Sequence, residues 1–477
     1  MLHLSGKMNC VNRRGHDYFS RCLVPPHPRV VAAIKRDLDA AKKRNPHLNE
    51  LEFLKSIGFE PGYNPVGKDN PAKIKTDSLH SGRIEMEKVD LPTFKPTGDI
   101  HALAILIDFN DNEGKESPDH YNELLFSEGS FQTGSLRDFY KTVSGGKVNI
   151  LGQVSGWHRM PEDYSYYIGS QSGTKWEDYP HNAMRMVEDA VNVVLQKDNT
   201  IKWNDYDLQN DGIIDALYVV HAGPGAETQP TTEGRAKMIW SHKAVVRNPV
   251  KVTDKTNVAS YLTVPEDGYL GVYAHETGHL IFGWPDLYDA CPAPEDRFAG
   301  LGKWCLMAGG SWNGDPNGVT PAYPSAWCRF VQGWTKNTNA TDNMQLKLSD
   351  IEESDEVCLL PIKGKDKEYF ILECRKRIKF DKYIPGEGML MFHVDVGAEN
   401  NCDQNHLAVG VVEGDGGQDL ERIGLFGNQG DDGDPFPGST NRTICQNILD
   451  YEGKSSGISI SNIKWNGKEI TAGISMK

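Results

Sequence analysis

The chain has 477 residues, 38% of them apolar, which is enough for more than one buried core and, by length, for two or three domains. Its 51 basic and 66 acidic residues leave a net charge of −15. The acids are dispersed along the chain, so the surface reads as that of a soluble protein and argues against a nucleic-acid partner.

Residues 1–28 contain no apolar run of signal-peptide length, and no later segment approaches a membrane span. From Pro25 to about Thr97 the chain is polar and rich in Pro, Lys and Asp. One amphipathic helix is expected in VVAAIKRDLDAAKKR, with Val30, Ile34 and Leu38 recurring at helical spacing. This stretch reads as an appendage or pro-segment.

At residues 102–109 the run ALAILIDF predicts a buried strand. HNAMRMVEDAVNVVLQ then predicts a long helix with Ala183, Val187, Ala190, Val191 and Val194 on one face, and ALYVVHAG (216–223) a second strand entering a glycine-rich turn. Beyond about residue 340 helical patterns give way to short alternating runs. The last of these is a hairpin with Asn466-Gly467 as its two-residue turn.

The chemistry is concentrated in AHETGHLIFGWPDLYDA (274–290). The flanks GVYA and LIF permit a helix, which sets His275 and His279 one turn apart on one face, as two ligands of one ion require. Glu276 stands beside them. Zinc needs a third protein ligand and an open position for water. Gly283 and Pro285 break the helix, and Asp286 or Asp289 follows within reach, Asp286 being preferred. A zinc ion held this way polarises a carbonyl and lowers the pKa of its water toward ~7, while Glu276 carries the proton to the leaving amine. That is peptide-bond hydrolysis.

These residues resemble the immune-inhibitor-A-type metallopeptidases, zincins whose zinc helix reads His-Glu-x-x-His-x-x-Gly-x-x-Asp. Similar blocks follow in order: LAILIDFND (103–111), GSLRDFYKTVSGGKVNILGQVSGW (134–157), DGIIDALYVVHAGPGAE (211–227), IWSHK (239–243), KWCLMAGGSWNG (303–314), EYFILECR (368–375), IPGEGMLMFHVD (384–395) and GDDGDPFPGSTN (430–441). The resemblance implies a secreted zinc endopeptidase acting on proteins or peptides, with a β-rich domain after the catalytic one, a pro-region and calcium. It also implies Met307 as the methionine under the zinc. The chain departs from the pattern by one inserted residue, because its glycine stands four and its aspartate seven positions after His279.

Further candidates are scattered along the chain. Asp207, Gln209, Asp211 and Asp215 occupy positions one, three, five and nine of a calcium loop, with Gly212 at the turn. Tyr218 stands where the bidentate acid is expected, which leaves an acidic turn as the other reading. Asp431, Asp432 and Asp434 offer a second oxygen-rich loop, read first as solvated carboxylates. RCLVP (21–25) resembles the latency segments of some zinc proteases, in which a pro-region thiolate fills zinc's fourth position, with Cys22 as the candidate and a plain free thiol as the simpler reading. His221 is expected to be a hydrogen-bonded structural histidine, and the tryptophans from Trp304 to Trp334 to build core. Nine cysteines, seven of them beyond position 290, leave the redox compartment open, and the sequons at Asn339 and Asn441 matter only in the secretory route.

The resulting expectation is an α+β protein. It comprises a polar N-terminal segment and candidate pro-region (1–97), a zincin-like catalytic domain (98–340) and a β-rich, sandwich-like domain (341–477). The function expected is that of a zinc endopeptidase with His275, His279 and Asp286 as ligands and Glu276 as base and acid. The alternative is a catalytically impaired zinc fold that grips glycans or protein surfaces. The resemblance points to an extracellular location, the missing signal stretch to an intracellular one.

Overall fold

The computed structural model describes residues 22–56, 95–290, 298–398, 400–422, 424 and 427–477. They form a mixed α+β structure built on three sheets. The first has six strands in the order β1-β5-β6-β4-β2-β3: β1 (Cys22–Leu23), β2 (Gly98–Asp108), β3 (Val148–Arg159), β4 (Leu217–His221), β5 (His242–Lys251) and β6 (Asn257–Pro265). The four strands β3, β2, β4 and β6 are parallel. β5 is antiparallel to β6, and β1 is antiparallel to β5.

Parallel neighbours need crossover connections, and the helices supply them. α1 (Pro28–Arg44) and α2 (Glu50–Ser56) precede the sheet, α3 (Pro118–Phe126) and α4 (Leu136–Val143) link β2 to β3, and α5 (Ala183–Lys197) links β3 to β4. The five residues expected on one face of α5 are all buried, and so are Val30, Ile34 and Leu38 of α1. Alternation along the strands divides the core. In β2, Ala102, Ala104 and Leu106 face one cluster while Leu103, Ile105 and Ile107 face the other, which α5 covers. This two-sided burial is why ALAILIDF reads as one unbroken apolar run.

After α6 (Leu270–Phe282) and α7 (Ala326–Val331), the chain builds a second sheet, β12-β11-β10-β9-β7. Its strands are β7 (Lys336–Asn339), β9 (Glu356–Pro361), β10 (Glu368–Arg375), β11 (Gly388–Asp395) and β12 (Val409–Val411). β8 (Met344–Ser349), β13 (Ile458–Trp465) and β14 (Glu469–Met476) form a third, antiparallel sheet, β13-β14-β8. In β10, Tyr369 and Ile371 belong to the cluster that α6 also packs into, whereas Phe370, Leu372 and Cys374 share a core with Ile460, Ile470 and Ile474 of the third sheet. The second sheet is therefore a wall between the helix layer and the third sheet.

Two details differ from the sequence reading. The last hairpin turns on Gly467-Lys468, one residue later than expected. Gly467 takes φ 84°, and the Asn466 side chain is spent accepting the amides of Lys468 and Glu469 at 2.9 Å each, which holds it at the first corner of the turn. Among the cysteines beyond 290, Cys305, Cys328, Cys358, Cys374 and Cys445 are free and buried, while Cys402 is disulfide-bonded. Three disulfides among those seven residues are thus excluded.

Candidate metal centre

All thirteen residues of α6 are buried, so its polar side chains must answer to partners inside the protein. His275 and His279 project from one face with their Nε2 atoms 3.0 Å apart. Each ring uses its other nitrogen on the main chain: His275 Nδ1 bonds the Leu306 carbonyl at 2.9 Å, and His279 Nδ1 the Trp284 carbonyl at 2.6 Å. A carbonyl only accepts, so both Nδ1 atoms carry the proton and both Nε2 atoms present lone pairs.

Gly283 ends the helix at φ 64°, a left-handed conformation open to glycine, and its N–H caps the His279 carbonyl. The reversal brings Asp286 back beneath the helix. Its Oδ1 lies 3.2 Å from His275 Nε2 and 3.3 Å from His279 Nε2. The turn at Gly283 is what sets Asp286 against the two histidines. Asp289 is buried nearby but is not in this group of three.

Two imidazole lone pairs and a carboxylate oxygen converging on one point repel one another unless a cation sits between them. Ligand atoms about 3.3 Å apart are what a tetrahedral ion with bonds of about 2.0–2.1 Å requires. The donor set and the spacing both fit zinc. Met307 is fully buried and packs against α6. A Cβ on Gly278, the residue before His279, would meet its Sδ at 2.7 Å, so the helix lies directly on the methionine.

Residues 99–339, half of the chain, match the family model for the immune inhibitor A peptidase M6 catalytic domain. The chain belongs to the immune inhibitor A peptidase family. It is 31% identical over 341 residues to the pre-pro-metalloprotease PrtV of Vibrio cholerae serotype O1, an alignment covering 61% of this chain and 34% of that protein. It is 28% identical over 307 residues to Immune inhibitor A of Bacillus thuringiensis subsp. alesti, covering 54% of this chain and 41% of the relative. This chain therefore spans well under half the length of these curated relatives.

In this M6 chain an extended strap, which sequence reasoning missed, runs past the centre. β1 is the edge strand of the first sheet, pairs with β5, Leu23 opposite His242, and lies against α6. Three aromatic donors then take three successive carbonyls: the Tyr288 hydroxyl bonds that of Leu23, Trp240 Nε1 that of Val24 at 2.9 Å, and Trp312 Nε1 that of Pro25 at 2.7 Å. His27 closes the strap, its N–H donating to the Glu227 carbonyl at 3.0 Å and its ring edge-on to Trp312. Such contacts link residues 200 or more positions apart and leave no local signal. The Cys22 side chain and Cys10 lie outside the described residues.

The remaining candidates are placed as follows. His221 is fully buried, bonds the Ala222 carbonyl and is lowered to about 4 by burial. Trp304, Trp327 and Trp334 are fully buried core. In the 207–215 loop the carboxylates serve the loop's own groups. Asp207 accepts from the Asp211 and Gly212 amides, Asp211 from Ile213, and Asp215 from Leu208 and the Gln209 side chain. Among the described residues two sets of three acidic or histidine side chains converge within 4.8 Å: His275, His279 and Asp286, and then Glu413, Asp415 and Asp434. The 207–215 loop contributes to neither set.

Proposed function

We propose that this chain is a zinc-dependent endopeptidase in which His275, His279 and Asp286 hold the ion and Glu276 serves as general base and then general acid. The observation that carries the reading is the convergence within 3.3 Å of two Nε2 lone pairs, from the helix that also carries Glu276, and the Asp286 carboxylate from the turn after it. Zinc bound there polarises a peptide carbonyl and lowers the pKa of a water toward ~7.

The chain's own groups do the rest. The Leu306 and Trp284 carbonyls fix the tautomer of both imidazoles and prevent the rings from turning. Asp286 stays ionised between them and offsets positive charge at the centre. Glu276, one residue on from His275 and wholly buried, takes the proton of the attacking water and returns it to the amine nitrogen as the peptide bond breaks. A positioned base of this kind is worth ~10²–10⁴-fold in rate. Substrates are proteins or peptides, bound extended by main-chain pairing to β5 in the place β1 occupies in the full chain.

With this function goes a division into a zincin-like catalytic unit (98–340), a sandwich-like unit (341–477) supported by the core shared between the second and third sheets, and a pro-region within 1–97 supported by the clamped strap. The disulfide at Cys402 favours an extracellular location. Among the described residues no helix is long and apolar enough to cross a membrane.

The test is zinc content and casein hydrolysis of the purified chain beside Glu276→Gln and His279→Ala. The expected result is one zinc in the wild type and in Glu276→Gln, with hydrolysis down at least ~10²-fold in the latter, and loss of both in His279→Ala. Undiminished hydrolysis in Glu276→Gln would sink the mechanism. Zinc bound by a wild type that never cuts would favour a binding protein.

A further inference from the structure

The strap lies in a groove that holds a polypeptide by its main chain. Leu23 pairs with His242 of β5, and the chain then crosses three donors carried by three separate elements. Tyr288 comes from the turn after the metal helix, Trp240 from just before β5, and Trp312 from the short helix at 309–312 that packs on α6. Their hydroxyl and indole N–H groups take the carbonyls of Leu23, Val24 and Pro25 in order, and the His27 N–H reaches the Glu227 carbonyl. None of these four contacts reads a side chain of the strap. Any extended segment laid in the same place would receive them.

The donors are fixed by bonds that do not involve the strap. The Trp240 N–H donates to the Ser172 carbonyl at 3.0 Å, and the next residue, Ser241, donates from amide and hydroxyl to the buried Glu227 carboxylate. Beside Tyr288, the Leu287 N–H donates to the Met307 carbonyl at 2.8 Å, and the Trp312 carbonyl accepts the Gly318 amide at 3.2 Å. Two of the three donors therefore ride on the segments that carry Asp286 and Met307. A groove set in advance gives up little freedom when a chain enters it.

The strap also sits in the core as an inserted peptide does. Of the apolar residues that cluster in 22–56, only Leu23 and Val24 join the main core; Val30, Ile34, Leu38 and Phe53 form a small cluster of their own. Leu23 and Val24 are both buried among apolar neighbours, so a charged side chain at either position would be costly. The main chain sets the place, and two adjacent side chains are filtered there.

We propose that Tyr288, Trp240 and Trp312 position substrate in the zinc endopeptidase put forward above, on which this inference rests. They take three successive carbonyls of an extended polypeptide, and the surroundings of Leu23 and Val24 select two adjacent aliphatic residues. The substrate class is unfolded or loop segments of proteins, because a helix spends its carbonyls on its own amides. The bound segment runs antiparallel to β5, as β1 does.

The test uses the full zinc-loaded chain carrying Leu23→Asp and Val24→Asp, which cannot bury the strap and so opens the groove. Leu23→Asp alone is a milder second opening, and circular dichroism checks that each form folds. The probe is a fluorescein-labelled Leu-Val-Pro-Pro-His peptide followed by anisotropy. It is expected to bind the opened chain, and equally its Glu276→Gln form, at least ~10-fold more tightly than the unaltered chain, where the tethered strap competes. A probe with Ser-Ser in place of Leu-Val should bind more than ~10-fold more weakly. Tyr288→Phe, Trp240→Phe and Trp312→Phe each keep an aromatic ring and remove the donor. In the opened chain each should weaken the probe and raise KM for casein by about 2- to 10-fold, with kcat changed far less. A probe that ignores the opening, or a KM and probe affinity unmoved in all three phenylalanine variants, would overturn the proposal. Binding that follows this pattern in a chain that cuts nothing would uphold the groove and count against the endopeptidase reading.

Discussion

At the scale of single residues, burial decides which protons stay. His275 and His279 carry theirs on Nδ1 because main-chain carbonyls stand there. Glu227, under the strap, is fully buried and pushed up to about 7 by that burial, with Ser241 donating to it. Its folded pKa is raised, so the folded state holds a proton that the unfolded chain, near 4.5, has released. The contribution of Glu227 is full below about 4.5 and is lost as the pH rises through about 7. His221, lowered to about 4, works the opposite way and loses its contribution as the pH falls from 6.5 through about 4. Glu227→Gln should therefore flatten the decline in stability between about pH 5 and about pH 8, as measured by urea unfolding at the two values. An unchanged decline would show that Glu227 is ionised throughout.

At the scale of elements, β1 and the strap after it matter most. Leu23 and Val24 are 3% and 0% exposed and lie in the same core cluster as Trp240, Tyr288 and Trp312. Three carbonyls in succession are held by side-chain donors, which is how an extended peptide is gripped when only one strand edge is free. If residues 1–97 restrain the enzyme, a chain beginning at residue 98 should cut casein several-fold faster than the full chain while keeping its zinc. Equal rates, with the shortened chain folded by circular dichroism, would mean that the strap is structural.

At the scale of the whole molecule, the second sheet is fastened to the metal centre by a buried charge network. Arg375 of β10 is fully buried, pairs with Glu373 at 2.8 Å and with Asp381, and its Nη1 donates to the Trp304 carbonyl at 3.1 Å. Arg375→Met would leave two carboxylates buried without their partner, a loss of about 3–5 kcal/mol. It should also loosen the segment leading to Met307. Urea unfolding and zinc retention on dialysis are expected to fall together. A stability loss with zinc retention unchanged would mean that the second sheet is fastened independently of the centre.

Much of this was legible in the chain itself. The helical spacing in α1 and α5, the apolar runs of β2 and β4, and the one-turn separation of His275 and His279 are consequences of local periodicity, which a sequence carries in full. Family membership was readable for the same reason, since it rests on ordered blocks of residues. Whether Asp286 or Asp289 would face the histidines depended on where the inserted residue was absorbed. Gly283 ends the helix in a left-handed turn that puts Asp286 against the two histidines, a placement that only the packed helix end reveals. The strap was likewise beyond the sequence, which also singled out Asp434 but not the Glu413 and Asp415 that converge on it. Their partners stand apart in the chain, and what makes an acid or a carbonyl significant there is burial among distant neighbours, which only the closed tertiary structure creates.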